Sequence, residues 1–393
     1  MLDGFLSTSV VCEADGAAYI VDNRGGNPCI FRYSIENGTT EFVARVERMD
    51  PFAPKMTFVT AVYYKGKIYF VPKFLHGISY IFIYEVKTKQ IRYQEIKDKS
   101  FAPFCGYESM HRIENTLWLF PADIRNDVSV LSLDTMELSH VGTWSEAARG
   151  VQEKLGRQVK SGDAILKDGV IYTPLADSDA IMAMSLQDGT IHVYWLGHDA
   201  RLTFPIVYDG TAFWIARRRN EGLLRWTPQG GVTAEIDISN YTNNQSEKYH
   251  GWFQKMYCAD GMLWLLPKND QVLLRINADT GEMTRIPFGT GGGKSDLANR
   301  QYWVVEANGT LHIYPFYGSW WVEVVLHRDG IFKPPKWLPM PKEWEDSQAV
   351  REMYMGTWKR RGYILDDSLP EFLEFVKKFD PTSYAASEPG VEQ

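Results

Sequence analysis

Residues 61–72 read AVYYKGKIYFVP, and this stretch decides the fold because it contains a complete hairpin signal. Two apolar runs flank the pair Lys65-Gly66, and a glycine in such a pair suits a type I′ turn, in which both central residues have positive φ. The runs are rich in Tyr, Val and Ile, which favour pleated strands. We therefore predict two antiparallel strands joined by a two-residue turn.

The same pattern recurs along most of the chain. An apolar strand, a turn of the D-G, K-G or N-G type and a second apolar strand are repeated with turns at Gly16, Gly66, Asn115, Gly169, Gly210, Gly261 and Gly309. The successive spacings are 50, 49, 54, 41, 51 and 48 residues. A second strand pair with its own turn follows each hairpin. The sequence therefore contains a repeat of about 49 residues, each repeat with four predicted strands.

Four antiparallel strands per repeat are typical of a β-propeller, whose blades close into a ring that protects the sheet edges. A row of β-sandwich domains would also have short strands, but it would not place the same turn at the same phase of every repeat. We predict an all-β, seven-bladed β-propeller over residues 1–339. If the N-terminal strands pair with the C-terminal segment, six blades or a closure through half a blade stay open as alternatives.

Two segments stand outside the repeat. Residues 143–160 carry Val151 and Leu155 at helical spacing, which predicts a short helix inserted between blades three and four. Residues 340–393 form a tail with a capping-box pattern at 368–371. The tail then carries apolar residues at i, i+3, i+4 and i+7, namely Phe372, Phe375, Val376 and Phe379. We predict one amphipathic helix in this tail, packed on the propeller.

Charge and leader signals favour some partners and compartments over others. The chain has 42 Lys+Arg against 49 Asp+Glu, a net charge of −7, whereas duplex nucleic acid and anionic membranes attract clustered positive charge. We therefore predict no nucleic-acid partner and no membrane partner. The first residues lack the basic and apolar regions of a secretory signal, so we expect a cytoplasmic protein. The cysteines form no C-x-x-C pair, and we expect buried free thiols at Cys12, Cys29, Cys105 and Cys258.

The hairpin strings resemble known propeller families. Repeat length and the strand–turn–strand pattern look like kelch propellers, although the Gly-Gly doublet that marks the end of a kelch second strand occurs in that position only at 25–26. Residues 209–235 and 260–288 are similar to the repeats of the streptogramin-lyase-like (virginiamycin B lyase) propellers. This resemblance implies a propeller fold and, for that family, a metal held with His and Glu residues at the centre of one face. The acidic residue expected after the second strand is replaced by Ala216 and Pro267, so no catalytic residue is carried over.

Loops around one mouth of the central channel are the first candidate site, because a concave surface ringed by loops brings polar groups together. The predicted loops between second and third strands carry cations at Arg24, Lys73, His76, Arg125, Arg217, Arg218, Arg219 and Lys268. Such a rim would bind a carboxylate, a phosphate or an acidic peptide. Alternatively, these are solvated charges answered by acidic residues of the same loops. Aromatic platforms for a carbohydrate or peptide are expected at Trp252 and Tyr317.

Inner strands supply a second candidate set. The sixth and seventh positions before the hairpin turns include Glu108, Asp163 and Lys255, and His250 lies in a nearby loop. These groups are catalytic candidates as an acid/base cluster, or they are ion-paired residues that line a wet channel. The pattern does not show which of the two alternating sets of residues in each inner strand faces the channel.

Two functions follow from these features. The first is a ligand-binding or interaction protein that recognises a peptide, a protein partner or a carbohydrate at the loop-lined mouth. The alternative is an enzyme with its active site at the same mouth, such as a lyase assisted by a divalent metal.

Overall fold

The fold is a seven-bladed β-propeller of small antiparallel sheets. The computed structural model describes residues 10–22, 28–46, 58–72, 78–97, 107–121, 126–197, 201–217, 222–239, 253–267, 272–288, 302–307, 309–315, 320–327 and 330–341. The predicted tail helix lies outside these residues. The predictions of an all-β class and of seven blades are confirmed.

Each of the first three blades is formed by four consecutive strands. Blade 1 contains β1 (Val10–Ala14), β2 (Ala17–Asp22), β3 (Cys29–Ser34) and β4 (Thr40–Arg45). Blade 2 contains β5 (Phe58–Tyr64), β6 (Lys67–Pro72), β7 (Ile78–Glu85) and β8 (Gln90–Lys97). Blade 3 contains β9 (Tyr107–Ile113), β10 (Thr116–Pro121), β11 (Val128–Ser132) and β12 (Leu138–Val141).

Blade 4 differs because its inner strand is in two pieces, both paired with the same neighbour. The blade follows the helix α1 (Trp144–Leu155) and contains β13 (Lys160–Ser161), β14 (Ile165–Lys167), β15 (Val170–Ala176), β16 (Ala180–Ser185) and β17 (Ile191–Trp195). Blade 5 is regular in strand order and contains β18 (Leu202–Tyr208), β19 (Phe213–Arg217), β20 (Leu223–Thr227) and β21 (Gly231–Ile236).

The last two blades complete the ring. Blade 6 contains β22 (Phe253–Ala259), β23 (Met262–Pro267), β24 (Val272–Asn277) and β25 (Met283–Pro287). Blade 7 contains β26 (Tyr302–Ala307), β27 (Thr310–Pro315) and β28 (Trp320–Val325), and its outer edge is formed by β29 (Ile331–Phe332) and β30 (Lys336–Trp337). Among the described strands, every blade is contiguous in sequence. The alternative closures, in which strands from both chain ends share a blade, are therefore not adopted by these strands.

The inner hairpin turns mostly have the predicted geometry. In blade 2, Lys65 and Gly66 have φ values of 46° and 75°, as a type I′ turn requires, and blades 1, 4 and 6 repeat this pair of positive values. Blade 5 is different, because Tyr208 pairs with Phe213 and four residues form its turn. The prediction of a two-residue D-G turn is therefore wrong in that blade. The side chain of Asp209 organises the wider turn by accepting hydrogen bonds from the backbone N–H groups of Thr211 and Ala212, at 2.7 and 2.8 Å.

The hydrophobic core lies between the blades. Buried clusters join blade 1 to blade 2, blade 2 to blade 3 and so on to blade 7, and each combines inward-facing strand residues of two neighbouring sheets. The blade 3–blade 4 cluster includes Trp144, Ala148 and Val151 of α1, all buried. Helix α1 ends at Gly156, which adopts the left-handed conformation with φ of 61°. The predicted inserted helix is thus confirmed between blades 3 and 4.

Three cysteines fall within the described residues, and none forms a disulfide there. Burial raises the pKa of the Cys12 and Cys29 thiols to about 12 and that of Cys258 to about 11. These thiols therefore stay protonated at neutral pH, which fits their predicted role as packing residues. Cys105 lies outside the described residues.

Candidate functional site

The mouth, as the term is used here, is the end of the channel at which the inner strands begin and the second strands end. Inner strands run from the inter-blade loops toward the hairpin turns, and the second strands return antiparallel to them. The mouth is therefore the end of the described strands to which the predicted rim loops are connected. Most predicted rim residues lie outside the described residues, namely Arg24, Lys73, His76, Arg125, Arg218, Arg219, Lys268, Trp252, Tyr317 and His250.

Arg217 is the one predicted rim cation within the described residues. It is the last residue of β19, and its guanidinium contacts the carboxylate of Glu235 on β21, the outermost strand of the same blade. Its backbone N–H donates to the carbonyl of Gly222 at 2.9 Å. The charge of Arg217 is therefore answered by a carboxylate of its own blade, which lies on the outermost strand and not in the predicted rim loops.

Irregular strand pairing recurs near the mouth in the inner strands of blades 2 to 6. An extra residue or a register shift interrupts the ladder at Val59, Glu108, residues 203–205 and Gln254, and blade 4 has its strand break at residues 162–164. Each irregularity falls at or beside the seventh position before the hairpin turn. Bulges redirect side chains and are frequent beside functional sites. The strand ladder is thus irregular near the mouth in five successive blades.

The break in blade 4 depends on Gly162. A Cβ on this residue would lie 2.7 Å from the carbonyl oxygen of Phe204 and 2.8 Å from that of Pro174, closer than real Cβ contacts. The N–H of Gly162 donates to Pro174, and the N–H of Asp163 donates to Phe204 of blade 5 at 2.7 Å. The chain therefore leaves its own sheet at this point, and Asp163 is held between two blades.

Asp163 and Lys255 form an ion pair at the mouth. The Nζ of Lys255, near the start of β22 in blade 6, lies 2.6 Å from Oδ1 of Asp163 in blade 4. Blade 5 lies between these two blades in the ring, so the pair connects two blades that are not neighbours. The side chain of Lys255 is 39% exposed and that of Asp163 is 18% exposed, so solvent reaches both. The structure thus brings together two of the four catalytic candidates.

His111 of β9 lies against this pair. Its Nε2 accepts a hydrogen bond from the N–H of Ala164 at 3.2 Å, and its ring packs edge-on against Phe120. The pKa of His111 is lowered to about 4, mainly by burial and also by the charge of Lys255, while the charge of Asp163 partly opposes this shift. An imidazole that accepts at Nε2 is deprotonated there, so geometry and electrostatics both keep His111 neutral.

Two further side chains of β22, Gln254 and Tyr257, flank Lys255 in the sequence of this strand. Gln254 forms paired hydrogen bonds with the backbone of Tyr302 in blade 7, through Nε2 to the carbonyl at 2.6 Å and from the N–H to Oε1 at 2.7 Å. Burial raises the pKa of Tyr257 well above 10, and the charges of Asp163 and Glu306 add to this effect. Tyr257 is therefore a neutral phenol within electrostatic range of the ion pair.

Sequence reasoning named some of these groups and missed others. The position before the hairpin turn predicts Asp163 and Lys255 as site residues, but it does not predict His111 or Tyr257. Glu108 lies in β9 at the irregular position, but its side chain lies outside what the structure describes. The isolated Gly162 directly before Asp163 was the available signal, because a glycine within a strand pattern often marks a close backbone approach.

Among the described residues there is neither a metal-binding cluster nor a helix that could span a membrane. No group of three or more His, Cys, Asp or Glu side chains is arranged to hold a metal ion within that part of the chain. No helix in the same part is long and apolar enough to cross a membrane.

Comparison with known proteins supports the fold. No family model and no curated protein matches the sequence. Among solved structures, a streptogramin B lyase is similar at 13% identity with a TM-score of 0.53, over 81% of this chain and 92% of that one. An inactive virginiamycin B lyase from Staphylococcus aureus, with quinupristin, is similar at 12% identity and 0.54, over 80% and 94% of the two chains.

A third similar structure, the WD40 repeats of RRP9, gives 11% identity and a TM-score of 0.51, over 80% of this chain and 90% of that one. Identities this low show a shared propeller fold and nothing about activity. The resemblance to streptogramin-lyase-like propellers therefore holds at the level of fold, and the kelch resemblance stays a prediction.

Proposed function

We propose that this protein is a ligand-binding propeller that recognises a peptide, a protein partner or a glycan at the mouth of its channel. The observation that supports this proposal is the Lys255–Asp163 ion pair, which connects blades 4 and 6 at the mouth. A partly exposed ion pair of this kind contributes only about 0–1 kcal/mol to stability, so its placement at the mouth calls for another role. Recognition of a polar ligand is a role that fits its position.

Binding fits the described groups better than acid/base catalysis does. General acid/base catalysis is most efficient when the catalytic pKa lies near the working pH. His111 has a pKa of about 4 and already accepts a hydrogen bond from a backbone amide. The ammonium of Lys255 directly balances the carboxylate of Asp163. These groups are therefore suited to presenting fixed donors and acceptors.

The alternative function, a metal-assisted lyase, fits less well with the same geometry. A divalent metal at the mouth would need Asp163 and His111 as ligands among the described residues. The first is bound by Lys255, and the Nε2 of the second is bound by Ala164. A metal at Nε2 of His111 would therefore have to displace a backbone amide, and a metal on either carboxylate oxygen of Asp163 would lie beside the ammonium of Lys255.

An array experiment tests the proposed function. Labelled protein is applied to immobilised peptides and glycans, and each ligand that it binds is remeasured with the variant D163N and with K255Q. The matched control is D168N, because Asp168 pairs with Lys167 at 2.9 Å at the hairpin end of β14. We expect both mouth variants to weaken binding by at least about tenfold and the control by less than about twofold. Binding that is unaffected by the mouth variants, or lost in the control, would overturn the proposal.

A further inference from the structure

The mouth ion pair leaves hydrogen-bonding capacity unused. Oδ1 of Asp163 accepts from Lys255, whereas Oδ2 accepts no hydrogen bond from the described residues. An ammonium group has three protons, and within the same part of the chain one of them is directed at Asp163. The site therefore offers acceptors and donors to a ligand.

The two charges of the ion pair balance each other. Asp163 and Lys255 contribute one charge of each sign, and His111 is neutral because its Nε2 accepts from Ala164. An anionic ligand at Lys255 would lie beside the carboxylate of Asp163, and a cationic ligand at Asp163 would lie beside the ammonium. Both cases bring like charges close together, which is costly in a partly desolvated site. A ligand without net charge avoids this cost.

The groups are also held in place before a ligand arrives. Gly162 permits the close approach that ties the backbone of Asp163 to Phe204 of blade 5. Next to Lys255, the side chain of Gln254 is fixed by two hydrogen bonds to Tyr302 of blade 7. Fixed groups lose little conformational entropy on binding, so modest hydrogen bonds become useful for recognition.

We propose that the Asp163–Lys255 pair binds the hydroxyl groups of a neutral saccharide, an inference that rests on the proposed function and narrows its ligand class. Neighbouring hydroxyls of one sugar ring donate to the carboxylate, and a third oxygen accepts from the ammonium, while the ion pair stays intact. A zwitterionic amino acid or peptide terminus would instead have to separate the pair, whose atoms are 2.6 Å apart. The intact pair therefore favours a polyhydroxylated, uncharged ligand.

Ligand-detected NMR and calorimetry test this inference on the whole chain. The probes are neutral oligosaccharides such as maltotriose, cellotriose and chitotriose, acidic oligogalacturonides of matched length, and short peptides. We expect at least one neutral saccharide to bind, with an affinity that changes less than about twofold between about 50 and about 500 mM NaCl, because no net charge is screened. D163N should weaken this binding by at least about tenfold, and D168N by less than about twofold.

The outcomes separate the inference from the proposed function. If acidic saccharides or peptides bind in a manner sensitive to D163N and neutral saccharides do not, the saccharide inference fails and mouth binding stands. If no probe binds, or if every binding event is indifferent to D163N and K255Q, both fail. Thermal unfolding of each variant establishes that it is folded, and K255Q supplies the second test if D163N is not.

Discussion

Glu13 and His312 lie 299 residues apart in sequence, yet Nδ1 of His312 is 2.7 Å from Oε1 of Glu13. The hydroxyl of Tyr314 donates to the same oxygen at 2.7 Å, and the ring of Tyr314 stacks on Trp321. Glu13 belongs to β1 of blade 1, and its partners belong to β27 of blade 7. Because the described strands of each blade are contiguous, side chains rather than a shared sheet join the first and last blades. This polar network is therefore part of what closes the ring.

Replacing Glu13 with Gln should destabilise the protein by about 1–3 kcal/mol. The carboxylate is only 12% exposed, and it forms hydrogen bonds with Nδ1 of His312 and the hydroxyl of Tyr314 in blade 7. The free energy of unfolding is measured with urea. Glu41→Gln is the matched control, since Glu41 also links two blades through Lys89 at 2.7 Å but is 43% exposed. Its loss should change stability by no more than about 0.5 kcal/mol. Equal effects of the two variants would contradict a special role for the Glu13 network.

Replacing Gly162 with Ala should cost at least about 2 kcal/mol, because the new Cβ would meet two backbone carbonyls at 2.7 and 2.8 Å and backbone atoms cannot move aside independently. Gly150→Ala, within α1, is the control: its Cβ would have nothing within 4 Å, and alanine favours the helix by about 0.5–1 kcal/mol. Chemical denaturation of both variants measures the difference. A stable Gly162→Ala protein would show that the break in blade 4 can relax.

Acidification should destabilise the protein through His111. Its pKa is about 4 in the folded chain and 6.5 in the reference state, so the unfolded chain binds the proton more readily between these values. The contribution of His111 to stability is complete above pH 6.5 and is lost as the pH falls toward 4. Between pH 7 and pH 5 the loss should be at most about 2 kcal/mol, since the side chain is half-buried.

The variant His111→Gln isolates this effect, because its amide oxygen can still accept from the N–H of Ala164 but does not titrate. Unfolding free energies at pH 7 and pH 5 should differ less in this variant than in the unmodified protein. Direct titration of the His111 ring by NMR supplies an independent value. A ring that titrates near 6.5 would contradict the burial and hydrogen bonding described for it.

The wide turn of blade 5 should depend on Asp209. Burial raises the pKa of this carboxyl, but hydrogen bonds from Thr211, Ala212 and Trp214 outweigh burial and hold the pKa at about 2. Its contribution is therefore present above pH 3.8 and is lost as the pH falls through 2. At pH 7, Asp209→Asn should lower stability by about 2 kcal/mol, measured by denaturation with urea.

Asp188→Asn is the matched control for Asp209. Asp188 accepts from the backbone N–H of Thr190 at 3.0 Å in an exposed turn, and the hydroxyl of Thr190 also donates to it. It has no partner equivalent to the indole N–H of Trp214, which donates to Asp209 at 2.8 Å. The control should therefore have the smaller effect, and the reverse order would show that the turn is organised by something else.

Sequence reasoning succeeded where the determinants are local. The spacing of Gly16, Gly66 and the later turn residues was enough to predict seven blades, because each hairpin carries its own turn chemistry. The turn at Asp209 was misjudged because a D-G pair does not reveal whether the aspartate side chain will replace a backbone hydrogen bond. Local pattern thus predicts the blades but not every turn between their strands.

The candidate site was only partly accessible to the same reasoning. The position of Asp163 and Lys255 before their hairpin turns predicts both as site residues. Their pairing across 92 residues, however, depends on the curvature of the ring and on the carbonyls that surround Gly162. The role of Arg217 depends on Glu235, which only the sheet order brings near. Interactions between distant repeats are set by the closed geometry, and a linear pattern does not contain it.

Contiguous blades have an evolutionary consequence. Since a single uninterrupted stretch of about 49 codons encodes a complete sheet, an in-frame duplication or deletion of that stretch adds or removes a sheet without splitting any other. The gene can therefore change the number of sheets in whole steps, and every interface between neighbouring sheets then adjusts to the new angle of the closed ring.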